Sequence, residues 1–119
     1  MKLNKVKEVL EAQVLAGEQL LDMEVTTACG SDLMSDVLAF VKEEVLLLTG
    51  LVNPQVVRTA EMMDIRAIAF VRGKVPGEDI IKLATEKEMI LLTTKYPLYL
   101  ACGRLYSEGL MHGVQGYLK

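Results

Sequence analysis

Three short apolar runs occupy the second half of the chain at regular intervals. They span residues 45–49, 67–71 and 89–93, so their starts lie 22 residues apart. Each run is almost continuously apolar, which is typical of a strand buried on both faces of a parallel sheet. A proline follows each run, at Pro54, Pro76 and Pro97, where it suits the first turn of a helix. The pattern predicts a βαβαβα core with mutually parallel strands and right-handed crossovers.

The pattern before this core is less regular. Residues 4–13 carry apolar side chains at helical spacing and predict an amphipathic helix. Residues 14–17 predict a short strand that ends in a turn, and residues 24–29 predict another strand, which we expect to be antiparallel. We therefore expect an α/β fold with a mainly parallel sheet flanked by helices.

Residues 31–40 allow two interpretations. The first is a helix capped by Ser31 or Ser35, whose apolar side chains pack on the sheet. The inward residues would be Leu33, Val37 and either Phe40 or Leu38. In the second interpretation, the polar cluster at residues 31–36 lines a pocket.

The length of 119 residues indicates one domain. Within it we distinguish residues 1–44 as an N-terminal part, 45–109 as the repeat core and 110–119 as a tail. The tail is glycine-rich but carries apolar side chains, which predicts that it docks on another surface, such as a second subunit.

Composition excludes several classes of protein. A net charge of −3 with scattered basic residues argues against nucleic-acid binding. The apolar runs are too short to span a membrane, and the charged start does not resemble a signal peptide. Two cysteines are too few for a disulfide framework or a zinc site, so we expect a cytoplasmic protein.

No phosphate-binding loop, dinucleotide fingerprint or paired-cysteine motif is present, so we expect no cofactor and no metal. Ligands of open α/β sheets bind at the carboxyl ends of the strands, where free N–H groups attract anions. The sequence therefore predicts a small-anion site at this edge, formed by Gly50, Asn53, Arg72, Gly73, Thr93, Thr94 and Tyr96, with Ser31 and Asp32 beside them. In the alternative interpretation, these glycines only form turns and these polar groups only cap helices.

Residues 32–40, followed by residues 46–61, resemble the DRTGG domain, and in particular its small stand-alone members. Gly50 matches the glycine of the naming motif, whereas Leu51 and Val52 stand where that motif has Asp and Arg. Residues 71–73 stand in place of the second, Thr-Gly-Gly-like turn, and residues 93–96 resemble a Ser/Thr-x-x-Tyr turn.

The resemblance implies a fold like the N-terminal domain of HPr kinase/phosphorylase. DRTGG domains are regulatory or accessory modules that take part in subunit association and carry no established catalytic residues. Since the phosphate loop of HPr kinase lies in a separate domain, kinase activity does not carry over to this chain.

Two functional hypotheses follow. The first is a non-catalytic regulatory or protein-interaction module, a homodimer that binds a partner protein or senses a small anion such as a nucleotide or phosphorylated metabolite. Residues 97–108 and the tail are the expected contact. The second is a small phosphotransferase or hydrolase that uses Asp32, Asp36 or Arg104 near the strand ends.

Overall fold

The computed structural model describes residues 1–39 and 43–111. Five strands alternate with five helices and one short 3₁₀ turn within this part of the chain. In chain order these elements are α1 Leu3–Leu10, β1 Gln13–Ala16, the 3₁₀ turn Glu18–Leu20, β2 Thr27–Gly30, α2 Met34–Leu38, β3 Val45–Thr49, α3 Pro54–Met62, β4 Ala67–Phe70, α4 Glu78–Glu86, β5 Ile90–Thr93 and α5 Leu98–Ser107.

The strands form one sheet in the order β1-β5-β4-β3-β2. Strands β2 to β5 are mutually parallel, which confirms the predicted direction of the three central runs. The expectation that residues 24–29 are antiparallel is wrong, because β2 pairs with β3 in the parallel direction. Helix α2 returns the chain between them, so both strands run the same way. The antiparallel strand is β1, which pairs with β5 and carries an irregularity between Val14 and Ala16.

Both faces of the sheet are covered by helices. Leu46 and Leu48 pack with α1 and α5, whereas Leu47 packs with α2, α3 and α4 on the opposite face. This alternation explains the continuous apolar runs, because neither set of side chains meets water. The three apolar runs, expected to be buried on both faces, include these buried residues: Leu47, Ile68, Phe70, Ile90 and Leu92.

The three prolines take different places at their helix starts. Pro54 is the first residue of α3, as predicted, and the Asn53 side chain caps this helix by accepting the Gln55 N–H at 3.0 Å. Pro97 is the N-cap of α5, and Pro76 precedes Gly77, the N-cap of α4. The missing proline N–H is harmless at all three places, because none of them requires an intrahelical hydrogen bond.

Helix α2 is shorter than expected and begins at Met34. Ser31 does not cap the helix; its hydroxyl accepts the N–H of Leu33 and closes a turn ahead of it. Leu33 and Leu38 were expected to point inward but are exposed, whereas Val37 is buried. The remaining candidate for this face, Phe40, lies outside the described residues.

The first residue of the tail belongs to the core of its own chain. Leu110 is buried, and its N–H donates to the Leu105 carbonyl at 3.0 Å. The predicted docking of residues 112–119 lies outside the described residues. None of the helices described is long and apolar enough to cross a membrane.

Candidate functional site

The loops that follow the four parallel strands lie at one edge of the sheet, where the sequence predicted a site. Several of the predicted site residues belong to two groups there. We call Asp32, Thr49, Gly50 and Arg72 the Asp32 cluster. We call Glu11, Thr94, Tyr96 and Arg104 the Tyr96 cluster.

Three donors converge on the carboxylate of Asp32. Its Oδ1 accepts the Gly50 N–H at 2.6 Å and the Thr49 hydroxyl at 3.1 Å. Its Oδ2 lies 3.4 Å from Nη1 of Arg72, in an ion pair whose two side chains are each 45% exposed. The Gly50 N–H is the main reason that the pKa of Asp32 lies below its ordinary value, and the Thr49 hydroxyl and Arg72 lower it further against partial desolvation.

The Arg72 side chain lies directly against Gly50. A Cβ atom at Gly50 would overlap the Arg72 guanidinium, so a side chain at this position would displace that group from its present place. Arg72 has a φ of 59° and Gly73 a φ of 68°, so the chain makes a tight left-handed turn after β4. The N–H groups of Arg72 and Gly73 donate to the carbonyls of Tyr96 and Thr94, both at 2.8 Å. These bonds fasten the Arg72 turn to the loop after β5.

The hydroxyls of the Tyr96 cluster tie the end of β5 to α1. Thr94 Oγ1 donates to the Leu10 carbonyl at 2.7 Å and accepts the Tyr96 N–H at 3.2 Å. The Tyr96 hydroxyl donates to the Glu11 carboxylate, and this bond is the main cause that raises the pKa of Tyr96. The Arg104 guanidinium lies 5.2 Å from the centre of the Tyr96 ring, within the range of a cation–π contact.

The other predicted site residues also bond within the fold. Thr93 Oγ1 donates to the Lys74 carbonyl at 2.8 Å, while Asn53 and Ser31 accept N–H groups at helix and turn starts. A groove of about 400 Å³ remains open at the β5 end of this edge. It is lined by Leu10, Glu11, Gln13, Gly73, Val75, Thr93, Thr94, Lys95 and Tyr96.

The three groups named by the enzyme hypothesis do not share a cluster. Asp32 belongs to one cluster and Arg104 to the other, where Nε of Arg104 also donates to the Val9 carbonyl at 3.1 Å. Asp36 lies on α2 and makes none of the side-chain hydrogen bonds found in the described part of the chain. Within residues 1–39 and 43–111, no group of three or more His, Cys, Asp or Glu side chains could hold a metal ion.

A larger groove runs along the outer face of α5, with a volume of about 1220 Å³. We call it the α5 groove; it is lined by Gly30, Leu98, Tyr99, Leu100, Cys102, Gly103, Arg104, Tyr106, Ser107 and Glu108. Tyr99 is 92% exposed, and Leu100 and Tyr106 are 42% and 44% exposed. Sequence reasoning predicted a contact on this helix, but it did not identify Tyr99 and Tyr106. Their spacing of seven residues, two helical turns, was the available signal.

No protein-family model matches the sequence, and no curated protein matches it. A solved structure is similar: the CBS and DRTGG domains of the regulatory region of Clostridium perfringens pyrophosphatase, in complex with the activator diadenosine tetraphosphate. The TM-score is 0.69 at 14% identity, over 87% of this chain and 45% of that chain. The fold is DRTGG-like. The present chain thus spans under half the length of this DRTGG-containing neighbour, and the likeness concerns the fold alone.

Proposed function

We propose that this DRTGG-like chain is a non-catalytic regulatory module of the cytoplasm that acts by association. Its partner is a second copy of itself, and its input is a small anion such as a nucleotide or a phosphorylated metabolite. The exposed apolar face of α5 is the observation that carries the association.

Large exposed side chains are concentrated on this helix. Tyr99, Leu100 and Tyr106 all line the α5 groove, and Tyr99 is almost fully exposed. Contiguous apolar patches on soluble proteins commonly mark interaction sites. Tyrosine is also among the residues enriched in interfaces, since it buries a large ring and keeps a polar hydroxyl.

Gly103 supports the same conclusion independently. A glycine inside a helix costs about 0.5–1 kcal/mol relative to alanine. No heavy atom of the described residues comes within 4 Å of a Cβ added at Gly103, apart from the neighbouring residues and the helix backbone itself. Packing within the described subunit therefore gives no reason for the glycine. Close approach of a second helix would give one.

The charges on the groove suit a second copy of the chain. Arg104 and Glu108 both line it and lie one helical turn apart. In a twofold interface the same surface meets itself, so Arg104 of one subunit can face Glu108 of the other. A homodimer would in this way cover the tyrosines and pair both charges.

Two observations favour a regulatory role over the phosphotransferase or hydrolase alternative. Asp32 and Arg104 belong to different clusters, and both are held by bonds that stabilise the fold. The structural neighbour is a regulatory region bound to a nucleotide activator. Since that likeness is one of fold, the anionic input of this chain remains part of the proposal.

Sedimentation of the full chain over a wide concentration range tests the association. We expect a dimer, and we expect replacing Tyr99 and Tyr106 together by serine to give a folded monomer. Met62→Ser is the matched control, because Met62 is 72% exposed but lies on α3. A wild-type protein that stays monomeric at every concentration would refute the homodimer.

Removal of residues 112–119 tests the tail. The truncation belongs after Met111, since Leu110 is buried in the core and must be kept. If the truncation weakens the dimer, the tail takes part in the contact. If the dimer affinity is unchanged, the contact is formed by α5 without the tail.

A further inference from the structure

The Asp32 cluster contains the donors of an anion-binding site, and the anion that they bind is the carboxylate of Asp32 itself. A backbone N–H, a hydroxyl and a guanidinium, from Gly50, Thr49 and Arg72, all point at one carboxylate. Donors of these three kinds also bind phosphate groups in proteins. We propose that Asp32 blocks a phosphate-binding site formed by Thr49, Gly50 and Arg72, and that a phosphorylated ligand binds by displacing it. This inference rests on the anionic input in the proposed function.

The carboxylate is held in a way that permits displacement. The side chains of Asp32 and Arg72 are each 45% exposed, so water and salt reach their ion pair. Their 3.4 Å separation is longer than the 2.7–2.9 Å or so of a strong charge-assisted bond. Leu33, the next residue, is 58% exposed, so moving this turn exposes little additional apolar surface there.

The donors have capacity for a larger anion. A guanidinium carries five N–H groups, and that of Arg72 makes one hydrogen bond among the described residues. Phosphate has more oxygens and more charge than a carboxylate, so it can accept from Arg72 twice while keeping the Gly50 N–H. The absence of a Cβ at Gly50 lets the Arg72 guanidinium lie beside this N–H, so one anion can reach both donors.

Displacement would carry a signal to α2. Asp32 lies between β2 and α2 and joins this connection to the ends of β3 and β4. Once phosphate replaces the carboxylate, residues 31–33 lose that anchor, and the start of α2 is free to move. A ligand shifts such an equilibrium only through its different affinity for the two states. The competition with Asp32 provides that difference.

The test compares the phosphate affinity of the full-length wild type with that of Asp32→Ala. If Asp32 leaves the donors free in roughly one molecule in ten, its removal should tighten binding about tenfold. Titration with inorganic phosphate, followed by the NMR shift of the Gly50 amide, measures the affinity at the proposed site.

Three further variants make the result specific. Asp36→Ala removes the same charge from α2 without touching the three donors, so it controls for net charge. Arg72→Ala, added to Asp32→Ala, should abolish the gain. Asp32→Asn keeps an acceptor for Gly50 and Thr49, so it should fold even if the alanine variant fails to fold. It should show a smaller gain in phosphate affinity than Asp32→Ala.

The inference is overturned if neither Asp32 variant binds phosphate more tightly than Asp36→Ala, or if the gain survives the loss of Arg72. These readouts do not depend on dimerisation. A monomer that gains phosphate binding on Asp32→Ala refutes the association alone, while a dimer without this gain refutes the blocked site alone.

Discussion

Replacing Gly103 by alanine should stabilise the subunit and weaken its dimer. The added methyl meets no atom of the described subunit within 4 Å beyond its own helix and neighbours, so no internal clash opposes it. Alanine in the interior of a helix is favoured over glycine by about 0.5–1 kcal/mol. For a domain of 119 residues, this corresponds to a rise in Tm of roughly 2–4 °C.

The same methyl should obstruct a second helix that packs closely on α5. Extra methylenes in a well-packed contact typically cost about 1–3 kcal/mol. The dimer Kd should therefore rise by roughly 5- to 150-fold, since about 1.4 kcal/mol is a factor of ten. Sedimentation gives the Kd, and thermal unfolding below that concentration gives the stability of the monomer.

Ser107→Ala is the control, because Ser107 lines the same groove and its replacement adds no atom. It should leave the Kd unchanged. A dimer of Gly103→Ala that is as tight as the wild type would refute the close approach at this residue. A fall in monomer stability would show that the glycine is required within the subunit itself.

Three other predictions concern the core, the strand-end edge and the glycine turns. Phe70→Ala should lower the free energy of unfolding by about 3–5 kcal/mol, because Phe70 is fully buried, and denaturant titration measures this against the exposed control Met62→Ala. Asp32→Asn should destabilise the protein near neutral pH. Because the folded-state pKa of Asp32 is lowered, its charge stabilises the fold above the unfolded pKa of about 3.9, and this contribution is lost as the pH falls through the folded pKa. The difference between the two proteins should therefore shrink in acid, and a gap that does not depend on pH would contradict this. Gly17→Ala should cost more stability than Gly73→Ala: both have positive φ, but only at Gly17 would a Cβ meet backbone, 2.5 Å from the Met89 carbonyl oxygen. Equal losses of stability in urea unfolding would show that the positive φ alone, and not the contact with Met89, determines the cost of the substitution.

The parallel core was predictable from sequence because its strands are buried on both faces. Such strands appear as continuous apolar runs, and the buried Leu47 and Ile68 lie within two of them. The direction of β2 was not predictable in this way. It depends on whether residues 31–44 return the chain to the same end of the sheet, and helix α2, which does so, has only five residues. Its exposed Leu33 and Leu38 do not give the inward pattern that was expected.

The strand-end edge was predictable as a place, because topology fixes where the loops after β2 to β5 lie. The partners of its side chains were not. Asp32 bonds to Gly50, eighteen residues away, and Tyr96 bonds to Glu11, at a separation of eighty-five. Thr94 donates to the backbone carbonyl of Leu10, and no side-chain pattern reveals such an acceptor. A residue type can indicate a capacity for hydrogen bonding, but only the fold determines which groups satisfy it.

The pairing of β1 with β5 has a consequence for the order of folding during synthesis. Strand β1 ends at Ala16, but its partner begins at Ile90 and the covering helix α5 ends at Ser107. About 90 residues must therefore be made after β1 before its ladder and the apolar face of α1 are covered. At 5–20 residues per second, this takes roughly 5–20 s. During that interval Val6, Val9 and Leu10, all buried in the finished fold, lack their partners. Helix α1 and strand β1 would then be exposed to chaperones and to aggregation until α5 has been made.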